Sequence, residues 1–255
     1  MKDTEIFYFD VDGTLLDNNT LSISQHTVDS LHALKAKGYK IALSTGRTIG
    51  AIEGTEIKDL APWDAYVLAN GGITLDANFE LINEVSMAPE FIHTLISMYP
   101  ETIILEGNDI YMVNKLSDSM ARFMNHSKIE TPPLIEYNDE IIQKLILEDI
   151  SLIEGGFDNP IFADYAYELN TANMLEIYPK SSGKHVAIEA LNKQLNISKH
   201  TYFGDGNNDA IALKNATFGI AMGNGSDNAK ANADFVTKHV GEDGITFALK
   251  HFEVL

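Results

Sequence analysis

The feature that most limits what this chain can fold into is the run Ile6-Phe7-Tyr8-Phe9-Asp10-Val11-Asp12-Gly13-Thr14. Its first four residues are β-branched or aromatic, which suits a strand buried on both faces, and the strand stops at two carboxylates and a glycine. In an open parallel sheet, ligands bind outside the carboxyl ends of the strands, so Asp10 and Asp12 stand where chemistry is expected. Gly13 lets the backbone turn sharply and Thr14 offers a hydroxyl to fix the loop. Taken alone, these residues also fit a plain strand ending in an ordinary Asp-Gly turn. A second strand-to-carboxylate run far downstream, Thr201-Tyr202-Phe203-Gly204-Asp205-Gly206-Asn207-Asn208-Asp209, argues against coincidence. Thr45 and Lys184 fall between the two runs.

At 255 residues the chain is long enough for one large domain or two modest ones. The absence of cysteine excludes a disulfide framework, a thiolate zinc site and a cysteine nucleophile, and makes a reducing cytoplasm the natural setting. The N-terminus enters the first strand without a signal-peptide apolar region, and no apolar run approaches membrane-spanning length. A soluble, unprocessed, cytoplasmic protein that does not engage membranes is expected. The formal net charge of −19 repels nucleic-acid phosphates and anionic lipids, so nucleic acid is disfavoured as a partner. A small anionic metabolite remains compatible if a metal and a few cations lie inside a pocket.

The strand-loop-helix rhythm of a parallel sheet runs through the first part of the chain. Gln25 to Lys37 carries apolar residues at helical spacing before Gly38, and Tyr39 to Leu43 reads as a second strand. Ser44-Thr45-Gly46-Arg47 then places a hydroxyl pair at a strand end entering a helix, where free N–H groups suit an oxyanion or where a hydroxyl merely caps. Ala65 to Ala69 is a third strand, and Ile73 to Leu75 with Phe79 to Ile82 predicts a hairpin. Residues 84 to 178 change to α+β composition. They read as a helix over 89–99, strands over 103–105 and 110–113, a helix over 117–123 and an ambiguous stretch over 141–150. Strands over 162–169 and 173–178 follow. The α/β rhythm returns with a helix over 184–195, a strand over 201–203, a short helix over 210–214, strands over 218–221 and 235–237, and a helix over 241–252. The expected architecture is an α/β, Rossmann-like parallel-sheet core made of residues 1–83 and 179–255, with residues 84–178 inserted.

With its motifs Asp10-Val11-Asp12-Gly13-Thr14, Ser44-Thr45-Gly46-Arg47, Lys184 and Gly204-Asp205-Gly206-Asn207-Asn208-Asp209, the sequence resembles the haloacid dehalogenase superfamily, specifically the Cof-type class IIB phosphatases. The resemblance spans nearly the whole chain and implies an inserted α+β cap of the C2B type that selects substrate. It implies that Asp10 is a nucleophile forming an aspartyl phosphate and that Asp12 protonates the leaving alcohol and then activates water. It further implies a magnesium ion held by the Asp10 carboxylate, the Asp12 backbone carbonyl and the Asp205 carboxylate. Thr45, Gly46, Lys184 and Asn208 would bind the phosphoryl group, and Asp209 would orient Lys184. The implied substrates are sugar phosphates first and phosphorylated vitamins second. Unaided phosphate-monoester hydrolysis is so slow that such an enzyme must remove on the order of 20 kcal/mol from the barrier, chiefly by positioning and charge neutralisation.

Each residue has a plainer reading. Lys184 fits an ordinary first-turn lysine, although a cation at that end of a helix dipole calls for an acidic partner. Asp209 fits a simple helix cap. The eight histidines lack metal-ligand spacing, and Phe7, Tyr8 and Phe9 fit a core. The sequence departs from the family pattern at His185, where glycine is common, and near 150–160, which is too short for the usual cap helix. Two other functions are compatible with parts of the pattern. One is a phosphosugar mutase of the same superfamily. The other is a receiver-type phosphoaspartate module, which has no use for so long an insertion and lacks a counterpart of Asp12.

Overall fold

The computed structural model describes residues 1–53, 55–127, 130–169 and 174–255. In chain order the regular elements are β1 (Ile6–Phe9), α1 (Gln25–Ala36), β2 (Lys40–Ser44), α2 (Ile49–Ile52), α3 (Glu56–Asp59), β3 (Ala65–Leu68), β4 (Ile73–Asp76) and β5 (Leu81–Glu84). Then come α4 (Pro89–Met98), β6 (Ile103–Gly107), β7 (Ile110–Val113), α5 (Asp118–Ser127), β8 (Ile142–Leu147), β9 (Tyr165–Leu169) and β10 (Leu175–Pro179). The chain closes with α6 (Lys184–Leu195), β11 (His200–Gly204), α7 (Ala210–Asn215), β12 (Phe218–Ala221), α8 (Asp227–Ala231), β13 (Phe235–Val236) and α9 (Gly244–His251). They form two compact units, Met1–Gly46 with Gly54–Glu84 and Gly183–Leu255, and Arg47–Glu53 with Val85–Ser182.

The first unit is built on an eight-stranded sheet in the order β13-β12-β11-β1-β2-β3-β4-β5. Its strands from β13 to β3 run parallel, and β4 and β5 add an antiparallel edge. β1 lies at the centre, with Phe9 level with Phe203 on one side and Leu43 on the other. Ile6, Phe7, Tyr8 and Phe9 are fully buried, which is what a strand covered on both faces requires. Each side chain so placed contributes about 1.5–3 kcal/mol of transfer free energy. The strand therefore fixes the position of the acids that follow it.

The second unit carries a five-stranded antiparallel sheet in the order β7-β6-β8-β10-β9. Alternation divides its residues between two faces. Ile103, Leu105, Leu145, Leu147 and Ile177 pack with Phe91, Ile92 and Leu95 of α4. Ile104, Met112, Ile146 and Met174 pack with Met120 and Met124 of α5.

Several expectations need correction. A helix does follow Ser44-Thr45-Gly46-Arg47, but α2 begins only at Ile49, is four residues long and has Thr48 at its cap position. Neither Ser44 nor Thr45 caps it, and the oxyanion-binding helix start expected at Thr45 is absent. The ambiguous stretch over 141–150 is strand β8, because it pairs on both sides with β6 and β10. Phe162 belongs to a 3-10 turn rather than to the strand that starts at Tyr165, and residues 150–162 hold three such turns and no α-helix. Asn173, expected to open the last strand of this region, lies outside the described residues. The final helix starts at Gly244, after a 3-10 turn over Val240–Glu242. The short helices α3 and α8 had no counterpart in the sequence reading.

Candidate active site

Every predicted site residue of the first unit sits at or just beyond the carboxyl end of a core strand or at the start of α6. Asp10 follows β1, Thr45 and Gly46 follow β2, Asp205 follows β11, and Lys184 opens α6. The Asp10 backbone continues the ladder, its N–H bonding Phe203 O at 2.9 Å. Gly13 then adopts φ +87°, and a Cβ there would lie 2.2 Å from Asp205 Oδ2. Glycine is thus required twice over, by backbone conformation and by the carboxylate beside it. The turn is held by Thr14 Oγ1, which donates to Asp205 Oδ1 at 3.0 Å, and by Asn224 Nδ2, which donates to Gly13 O at 2.7 Å.

Lys184 is the hub. Its ammonium group, fully buried, donates to Asp10 Oδ1 and to Asp209 Oδ1, both at 2.7 Å. Asp209 is equally enclosed and takes three further hydrogen bonds, from Tyr202 OH at 2.6 Å and from the Asp205 and Gly206 amides at 2.9 and 2.8 Å. The cap reading of Asp209 holds in part: its side chain accepts from the Gly206 amide and so caps the 3-10 turn Asn207–Asp209, although it makes no cap bond to α7 and also accepts from Lys184 and Tyr202. A buried carboxylate bonded by one ammonium, one phenol and two amides is rigidly placed. Burial alone would lower the Lys184 pKa, and the Asp10 and Asp209 carboxylates more than reverse it.

One oxygen from each of Asp10, Asp205 and Asp209 lies within 4.8 Å of the others. Three carboxylates thus share one buried cation. Burial, with the neighbouring acids adding to it, pushes Asp10 well above the usual carboxylate range and Asp205 up to about 7. Such an oxygen-only, under-neutralised set fits a hard divalent cation, which would remove the repulsion and let both groups ionise. Asp209 is already committed to Lys184, Tyr202 and two amides, which leaves Asp10 and Asp205 as the carboxylates best placed to hold it. The Asp12 carboxylate is not part of the cluster; the residue is half-buried on the turn.

Sequence reasoning missed three contributors. Tyr202 reads as a strand aromatic, yet a buried phenol needs a hydrogen-bond partner, and that requirement is the signal that could have pointed to it. Asn70 sits in the left-handed stretch Ala69, Asn70, Gly71 at φ 51°, 54° and 90°. There its amide oxygen accepts from Asn208 Nδ2 at 3.0 Å and its backbone N–H bonds Thr45 O at 3.1 Å. Left-handed non-glycine residues in succession are costly and cluster at functional sites. Asn224, the third, ties Gly13 to the Val240 amide.

Comparison with known proteins agrees with this geometry. A Bacteroides thetaiotaomicron phosphatase of the haloalkanoate (HAD) enzyme superfamily superposes with a TM-score of 0.88 at 24% identity, covering 100% of this chain and 97% of that one. A HAD subclass IIB sugar phosphatase superposes with a TM-score of 0.85 at 24% identity over 99% of this chain and 100% of its own. In sequence, a Bacillus subtilis 5-amino-6-(5-phospho-D-ribitylamino)uracil phosphatase is 27% identical over 267 residues, 98% of this chain and 96% of the relative. No helix among the described residues is long and apolar enough to cross a membrane. The profile of haloacid dehalogenase-like hydrolases matches residues 7–249, which sets aside the receiver reading: the chain belongs to the family of haloacid dehalogenase-like hydrolases.

Proposed function

We propose that this hydrolase is a magnesium-dependent phosphatase of small phosphorylated metabolites, sugar phosphates among them, working through an aspartyl phosphate. The observation that carries the reading is the shared Lys184, which touches Asp10 and Asp209 at 2.7 Å inside a cluster of three acids. An Asp10 oxygen attacks phosphorus while the bond from phosphorus to the alcohol oxygen breaks, and Asp12 gives that oxygen its proton. Asp12, now ionised, takes a proton from water, whose oxygen attacks the same phosphorus and releases Asp10 and inorganic phosphate. Lys184 lowers the cost of negative charge on the transferring group and on Asp10. Thr45, Gly46 and Asn208 line the strand ends that receive the phosphoryl oxygens. Magnesium, held by Asp10, Asp205 and the Asp12 carbonyl, would supply charge neutralisation at the phosphoryl group.

The second unit serves in this reading as the substrate-selecting cap. The names of similar proteins support a phosphatase: one acts on a phosphoribitylaminouracil, and another is a sugar phosphatase. Turnover of p-nitrophenyl phosphate with magnesium tests the proposal. Activity should vanish on chelation, return with added magnesium and be absent in Asp10→Asn. Full activity in excess EDTA would contradict it.

A further inference from the structure

β3 and β4 are antiparallel neighbours with Leu68 opposite Ile73, so residues 69–72 form the hairpin loop between them. Loops of that length are most often built round a type I turn, which does not open on left-handed residues. Here Ala69, Asn70 and Gly71 all take positive φ, at 51°, 54° and 90°. An alanine in that region is unfavourable because its Cβ crowds the following carbonyl, so the hairpin alone does not account for the conformation. Strain of this kind persists where the surrounding structure over-determines it.

The surroundings are the other strand-end arms of the same unit. Thr45 is held to this arm at both of its backbone polar groups. Its N–H donates to Val67 O at 2.8 Å, and its carbonyl accepts the Asn70 N–H at 3.1 Å. The Asn70 side chain is 1% exposed and lies over Gly46, where a Cβ would come within 3.1 Å of Asn70 Oδ1. The same oxygen accepts from Asn208 Nδ2 at 3.0 Å, on the turn that follows β11. Gly71 reaches a further arm: a Cβ there would lie 2.4 Å from the carbonyl oxygen of Gly183, the residue that caps α6 just before Lys184. One buried turn thus abuts the segments that carry Thr45, Gly46, Asn208 and Lys184.

We propose that Asn70 is a positioning residue: it sets Thr45 and Asn208 in register with each other before a phosphoryl group arrives, and acts through them. A carboxamide is planar and carries two hydrogens on its nitrogen. Committing one Asn208 N–H to Asn70 Oδ1 fixes the direction of the other, so that donor is aimed without a rotamer search on binding. Donors fixed in advance are the ones that stabilise developing charge most effectively. The inference rests on the phosphatase reading above and adds to it the group that aligns the phosphoryl-binding residues.

The test is a double-mutant cycle on Asn70→Gly and Asn208→Ala, with p-nitrophenyl phosphate and magnesium as the assay and inorganic phosphate as the competitive inhibitor. Asn70→Gly keeps the positive φ and the N–H to Thr45 and deletes the carboxamide alone. It should lower kcat/KM and raise the phosphate Ki by about tenfold each, with a urea midpoint close to that of the wild type. In the Asn208→Ala background the same change should move either quantity by less than about threefold, because its route to the phosphoryl group is already gone. Equal factors in the two backgrounds, or an unchanged phosphate Ki in Asn70→Gly, overturn the inference. Failure of Asn70→Gly to fold overturns it as well, since Asn70 would then serve the fold and not the site. Wild-type protein inactive with magnesium overturns the phosphatase reading itself, and the inference with it, whereas an active wild type with an additive cycle overturns the inference alone.

Discussion

Tyr202 donates its hydroxyl hydrogen to Asp209 at 2.6 Å, on the carboxylate oxygen that also receives Lys184. The phenol comes from the middle of β11, one strand from β1, and Tyr8 is its register partner there. Position in the sheet thus delivers a neutral donor beneath the charged cluster. With two amides on its other oxygen, Asp209 is fixed at both ends, and Lys184 is held against Asp10 rather than drawn fully to Asp209.

Removing that donor should leave the fold intact and shift the lysine. Tyr202→Phe deletes one hydrogen bond to a charged group, a loss of about 1.5–3 kcal/mol in stability. With less competition at Asp209 Oδ1, Lys184 is bound more tightly there and serves Asp10 less well. We expect kcat to fall about tenfold with KM little changed. Steady-state kinetics beside a urea denaturation curve would check both parts; unchanged kcat would show that Tyr202 is only a core residue.

Much of this site was legible because its residues follow directly from strand ends. The runs before Asp10 and Asp205 are so uniformly apolar that they mark buried strands, and covalent continuity then places the acids. What was not legible depends on contacts across the sheet. Tyr202 and Asp209 are seven residues apart, but the first is inside a strand and the second beyond a turn, and nothing in local spacing says that they meet. The same holds for Asn70 and Asn208, which lie on different strand ends. The helix expected after Arg47 is present, but its cap position falls to Thr48 and not to the Ser44-Thr45 pair, because the chain stays non-helical until Ile49. The assignment of Arg47–Glu53 to the second unit had no signal at all in the sequence.

Two glycines separate backbone strain from a functional clash. Gly13 and Gly38 share φ +87°, but a Cβ meets Asp205 at Gly13 and nothing within 4 Å at Gly38. Both Gly→Ala changes should cost about 1 kcal/mol or more of stability. Only Gly13→Ala should also displace Asp205, lowering activity at least about tenfold and raising the magnesium concentration needed for half-maximal rate. A magnesium titration of the two variants would decide, and equal activity in both would remove Gly13 from the site.

Stability should depend on pH through His200. Tyr8 OH donates to Asn192 Oδ1 at 2.8 Å, and Asn192 faces His200 Nδ1 at 3.2 Å. Burial lowers the His200 pKa in the folded protein. Below the unfolded value of about 6.5, the unfolded chain takes up a proton that the folded chain refuses, so stability falls as pH drops from there toward the depressed folded value. Urea midpoints at about pH 7.5 and pH 5.5 should differ more for the wild type than for His200→Gln. An equal difference would remove His200 as a contributor.

The central claim is that Asp10 carries the phosphoryl group and Asp12 does not. Asp12→Asn keeps the nucleophile and loses the group that activates water. With an activated aryl phosphate, whose leaving group needs no protonation, the first step should therefore outlast the second. Mass spectrometry after acid quench is the direct measurement. Asp12→Asn should accumulate a species heavier by one phosphoryl group, located on Asp10, and Asp10→Asn should show none. Labelling of Asp10→Asn at the wild-type level would place the nucleophile elsewhere and contradict the account.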